Sequence, residues 1–170
     1  TTDQIRTLNT DDLNSFASDQ FNKLSTAQVA ALTTAQLSHL TTDSLNAMGS
    51  SQFATLSSSQ FGALTSDQLP TMETADLRAV TTAALRGLSS DQILVLTSDE
   101  VGSLTTGQIA ALTTTQVKGL TAGDMTALGT AQIAALGSAQ VSALNTDQLS
   151  AIDAADMKSL NTAALRGLTS

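Results

Sequence analysis

Every eighth residue from Leu8 to Leu168 is Leu, Phe, Met, Val or Ile, and a second column five residues on, running from Ile5 through Leu13 and Phe21 to Leu165, is apolar throughout. The stretch LSTAQVAALTTAQLSHL, residues 24–40, states this octad twice in succession. A period held from end to end makes the chain an array of one small unit, residues 1–170 forming a single solenoid, and excludes folds that need unlike elements in a fixed order.

One continuous helix does not suit the period. Eight residues at about 100° each advance about 800°, so the apolar stripe would drift by about 80° per octad and face nothing. Heptad and eleven-residue supercoils do not repair that drift. A β-solenoid fails differently, because spacings of five and three put successive anchors on opposite faces of a strand. The glycine-aspartate nonapeptide of calcium-binding β-rolls is also absent.

The columns themselves decide the matter when each octad is written from the residue after the recurrent Leu. The first column is Ser or Thr in 13 of 22 octads, otherwise Asn9, Asn145, Asn161, Gly49, Gly129, Gly137 or Asp153, with Ala17 and Glu73 as exceptions. These are the residues preferred at a helix N-cap. Three residues later stands Gln in 13 octads of 21, or an acid such as Asp12, Asp76, Asp124, Asp156 or Glu100, which completes a capping box. The apolar residues on either side of the cap, Leu32 and Leu37 for example, hold the two positions of a hydrophobic staple. The pattern predicts an all-α protein, an α-solenoid of 21 very short helices of about six residues, roughly 9 Å each, with a corner at every cap. Helices this short do not persist alone, so stability must come from neighbouring coils.

A slower repeat lies over the octad. TAALRGL occurs at residues 82–88 and again at 162–168, and residues 49–90 match 129–170 at 21 of 42 positions. Ten octads were duplicated as a block. If such a block must contain whole coils, the count allows two octads per coil and disfavours three, which predicts sixteen residues per coil.

Composition limits function more than fold. With 2% aromatic residues, a thick globular core is not available. A net charge of −8, with seven scattered Lys and Arg, argues against nucleic-acid and anionic-membrane partners. Cysteine is absent, which excludes disulfides and thiolate metal sites. No apolar run exceeds four residues, ILVL at residues 93–96 being the bulkiest, which is far too short to insert into a membrane.

No catalytic, metal or cofactor constellation emerges. His39 is the lone histidine, and the abundant Ser and Thr have no base to activate one of them. The acid pairs Asp11–Asp12 and Asp99–Glu100 fall in first helical turns, where acids favour the helix dipole, and no glycine-hinged calcium loop accompanies them. The second column is Ser or Thr in 20 of 22 octads, broken by Ala122 and Ala154. Such hydroxyls are expected to brace each corner by bonding back to a carbonyl of the preceding helix, or else to form a ladder for glycans.

Runs such as LSTAQVAALTTAQL, residues 24–37, resemble the octapeptide-repeat regions of large bacterial secreted or surface proteins labelled haem-utilisation or adhesion proteins. The resemblance covers the whole chain and implies an extracellular or cell-surface bacterial location with an adhesive or spacer role. It carries no site residues over, and a chain with one His, no Tyr and no Cys offers few axial ligands for haem.

The expected function is therefore that of a non-enzymatic structural spacer or scaffold, the alternatives being a subunit of a head-to-tail surface filament and a ligand-binding solenoid. Two features point to partners. Leu94 and Val95 fill columns that otherwise hold mostly small or polar residues, which predicts a contact patch. Solenoids normally finish in polar capping repeats, yet the first and last octads keep their anchors, Ile5 with Leu8 and Leu165 with Leu168. Those four residues are expected to stack end to end, on another copy or on the continuation of a longer array.

Overall fold

A computed structural model of the chain describes residues 1–169. Among the described residues it contains twenty α-helices of four to six residues, two short 3-10 turns and no strand. No helix is long and apolar enough to cross a membrane. The chain divides into two compact units, residues 1–88 and 89 onward, each a helical solenoid of the same octads.

Residues 105–112 show how one octad folds. Thr105 is extended, its Oγ1 accepts the Gln108 N–H, and the Gln108 Oε1 accepts the Thr105 N–H at 2.8 Å. The helix Thr106–Ala111 follows, and the Leu112 N–H ends it by donating to the Ile109 carbonyl at 3.2 Å. Leu112 (φ −56°, ψ 136°) and Thr113 (φ −71°, ψ 159°) are extended in succession and turn the chain into the next helix, Thr114–Gly119. This corner uses no left-handed residue, and no described residue has positive φ. Glycine is accordingly not needed at a fixed column, in contrast to the glycine-terminated helix ends common elsewhere.

One octad departs from the expected 21 helices. In residues 65–72 the proline at position 70 has no N–H to give to the carbonyl four residues back and disfavours helical geometry at Leu69, so the segment Leu69–Thr71 is a 3-10 turn. Its anchors Leu69 and Met72 are buried all the same.

The expected coil of sixteen residues is wrong. In the first unit Thr2–Thr7 packs on Thr26–Ala30, Ser18–Asn22 on Thr42–Asn46, and Ser58–Phe61 on Thr82–Leu85. In the second unit Ser90–Leu94 packs on Thr114–Gly119, Ala122–Ala127 on Thr146–Ala151, and Ser138–Ala143 on Thr162–Leu165. Every one of these pairs is three octads apart, so three helices and three corners close one coil. The eighty-residue spacing between the similar stretches 49–90 and 129–170 misled because it is not a whole number of such coils. All three sides carry the same octad, so a block need preserve only the eight-residue register to stack.

Three sides converge six anchors per coil on a narrow axis, and every anchor from Val29 to Leu144 is buried. Each such side chain contributes about 1.5–3 kcal/mol by leaving water. Coils approach closely within each unit: a Cβ placed on Gly87 would lie 2.0 Å from the Ser58 carbonyl oxygen in the first, and one on Gly119 would lie 2.4 Å from that of Ser90 in the second. Those glycines serve backbone contact between coils.

Candidate interaction surfaces

The fourth-column glutamine does more than its capping role. The Gln36 Nε2 donates to the carbonyls of Ile5 at 2.7 Å and Leu8 at 2.9 Å, which end a helix on the coil below. Gln52 does the same to Phe21 and Leu24, and Gln68 to Leu37 and Leu40. In the second unit Gln140 reaches Ile109 and Leu112, and Gln148 reaches Val117 and Leu120. One amide thus caps its own helix through oxygen and ties down the preceding coil through nitrogen. The cap survives loss of the first-column side chain: the N–H groups of Ala17, Gly49, Gly129 and Gly137 all donate to the glutamine three residues on.

Sequence reasoning overlooked this second bond, although a signal was present. Glu caps as well as Gln, yet that column holds 13 Gln and a single Glu. The choice marks a position that must both accept and donate.

Carboxylates in that column behave differently. Asp76 accepts the Ser50 hydroxyl at 2.6 Å, and Asp124 accepts that of Ser98 at 2.9 Å, each from the neighbouring coil. Burial pushes the Asp76 carboxyl above its ordinary value of 3.8, against the Ser50 hydrogen bond that lowers it, with Glu73 adding to the rise. Glu100 is buried, with Oε2 accepting from the Thr97 N–H and hydroxyl and Oε1 left without a partner. Burial raises its pKa above 4.5 against the lowering effect of the Thr97 bonds.

The second-column hydroxyls do not brace the corners as expected. Most stand exposed at the first helical position, as at Thr26, Thr34, Thr106 and Thr114, and Ser50 and Ser98 donate to carboxylates instead. The bracing falls to the glutamine amide. Seventh-column hydroxyls add to it locally, Thr55 donating to the Gln52 carbonyl and Thr71 to that of Gln68.

Leu94 is 55% exposed, whereas Val95 is half-buried beside it. Leu94 borders a cleft of about 430 Å³ whose other walls include Thr115, Lys118 and Thr121. A second, polar cleft of about 490 Å³ lies in the first unit around Asn46, Ser50 and Asp76, with the Asn46 Oδ1 buried and without a partner. His39 is exposed, its Nδ1 2.8 Å from the Ala35 carbonyl. Among the described residues no group of three His, Asp or Glu is close enough to hold a metal.

The terminal coils expose anchors that interior coils hide, but not all those expected. Ile5 is only 5% exposed; the eighth-column residues Leu8, Phe16 and Leu24 are the half-buried ones. At the other end the fifth column opens, with Leu149 and Met157 half-buried and Leu165 exposed, alongside Leu168.

A solenoid of capped octads with an inter-coil glutamine ladder defines a tandem-repeat structural module. Residues 42–72, 69–106 and 120–153 match the model of the ALTTAQ repeat, together more than half of the chain, which belongs to that family. The hexapeptide of that name stands verbatim at residues 31–36. No curated protein and no solved structure matches the chain.

Proposed function

We propose that the chain is a non-enzymatic structural module, a spacer or scaffold of a bacterial surface or secreted protein of the adhesin type. The observation that supports this most is where the recurrent side chains go. In the interior octads the anchors are buried and glutamines such as Gln36, Gln52, Gln140 and Gln148 are taken up by helix ends and by the contact between coils, and this use repeats in both units. Binding solenoids vary their residues along one face to make a site, and uniform octads serve extension instead.

Two measurements test the proposal. Titrated with haem or with a panel of surface glycans, the purified protein should show no saturable binding by absorbance or calorimetry. A stoichiometric complex with either would replace the spacer by a binding solenoid. In a bacterium that produces the protein, antibodies against the folded chain should label intact cells or the culture medium; labelling only after lysis would overturn the surface location.

A further inference from the structure

In the second unit the helices Ser90–Leu94 and Thr114–Gly119 lie on successive coils and pack on one another. Leu94 holds the sixth column of the first, and Lys118 holds the same column one coil later; both border the cleft of about 430 Å³. Asp91 borders it too, one helical turn before Leu94 and so on the same helix face. All three side chains are exposed. Neither Asp91 nor Lys118 has an ion partner among the described residues, whose one salt bridge joins Lys23 and Asp19. An exposed leucine thus stands at the angle between an acid along its own helix and a base on the next coil.

The equivalent place three coils earlier, in the first unit, is built differently. Asn22 replaces Leu94 and Asn46 replaces Lys118, and the cleft there is bordered by the carboxylates of Asp19, Glu73 and Asp76 with no cation among its lining residues. Two copies of that surface would set acid against acid. The apolar centre flanked by opposite charges belongs to the second unit.

We infer that this face of the second unit pairs with the same face of a second copy about a two-fold axis. In such a contact, when one residue meets a second, the second also meets the first. With the axis through Leu94 and bisecting the angle Asp91–Leu94–Lys118, Leu94 of each copy packs on that of the other beside the cleft, and Asp91 of each meets Lys118 of the other. The partner is fixed by charge. A face that carries one acid and one base complements itself, whereas a net charge of −8 opposes unspecific association of two copies. The contact closes at two copies.

This inference stands apart from the spacer reading, which a monomer also satisfies. The test is sedimentation of the 170-residue protein from micromolar concentration to the limit of its solubility. The wild type should form a reversible dimer, and L94S should weaken it at least about tenfold, or about 1.4 kcal/mol. D91K and K118D should each stay monomeric alone, because each sets like charges against one another. Mixed, they should give a one-to-one dimer, since each supplies the charge the other lacks, and the double variant D91K/K118D should pair as the wild type does. Helicity by circular dichroism should be unchanged throughout; where a reversal lowers it, D91N or K118Q takes its place and should weaken pairing in the same direction. A wild type that remains monomeric, pairing that survives L94S and both single reversals, or reversals that the mixture does not rescue would each overturn the proposal.

Discussion

A fourth-column glutamine accepts one hydrogen bond for its own cap and donates two to the preceding coil, which a carboxylate of the same length cannot do. Glu100 is therefore the informative exception, a carboxylate where the array elsewhere prefers Gln, with Oε1 buried and unpartnered. Leaving such a group unpaired costs about 1–3 kcal/mol. Its raised pKa fixes the pH dependence. The folded state holds the proton more tightly than the unfolded chain, so the stabilising contribution is complete below 4.5 and is lost as pH rises through the folded value. Glu100→Gln keeps the bond to Thr97 and removes the charge. Thermal melting should find the two proteins similar at pH 4 and the variant more stable at pH 7.5, the gap opening between them. Asp76, also raised by burial, is common to both and cancels in the comparison. A gap independent of pH would show that the carboxylate is not the cause.

At the scale of one helix, what an octad does to itself was legible and what it does to its neighbours was not. Caps, staple and corner are contacts within about one octad, so the residue columns announce them directly, Ser25 with Gln28 for example. The close approach of Gly87 to Ser58 joins two successive coils, and in sequence Gly87 looks like any small residue in the seventh column. A pair of substitutions separates the two roles of glycine. Gly87→Ala forces a Cβ onto a backbone carbonyl that cannot turn aside, and should cost more than about 2 kcal/mol in denaturant unfolding. Gly107→Ala lies in the first turn of Thr106–Ala111, where a Cβ meets nothing nearer than 3.9 Å, and should stabilise by up to about 1 kcal/mol through helix propensity. Equal effects at the two positions would refute the assignment of Gly87 to inter-coil contact.

Over the whole chain the number of octads per coil was hidden because the octads are alike. Any octad can stack on any other, so nothing local marks the third one along as the partner. The same equivalence makes the octad, and not the coil, the unit of insertion and loss: residues 49–90 and 129–170 resemble each other at an offset of ten octads, three coils and one side. Removing one octad should then be tolerated even though it shifts later sides around the coil. Deletion of residues 33–40 should leave helicity per residue by circular dichroism unchanged and lower the melting temperature modestly, since nearest-neighbour contacts re-form in the old pattern with new partners. Deleting residues 33–36 alone is the contrasting case. It joins Leu32 directly to Leu37, destroys one cap, and brings the two anchor columns out of step with everything that follows. That shorter deletion should cost far more helicity than the longer one. If the octad deletion unfolds the chain while deletion of the full coil, residues 25–48, does not, then stacking depends on particular partners three octads apart and the interchangeability of sides is lost.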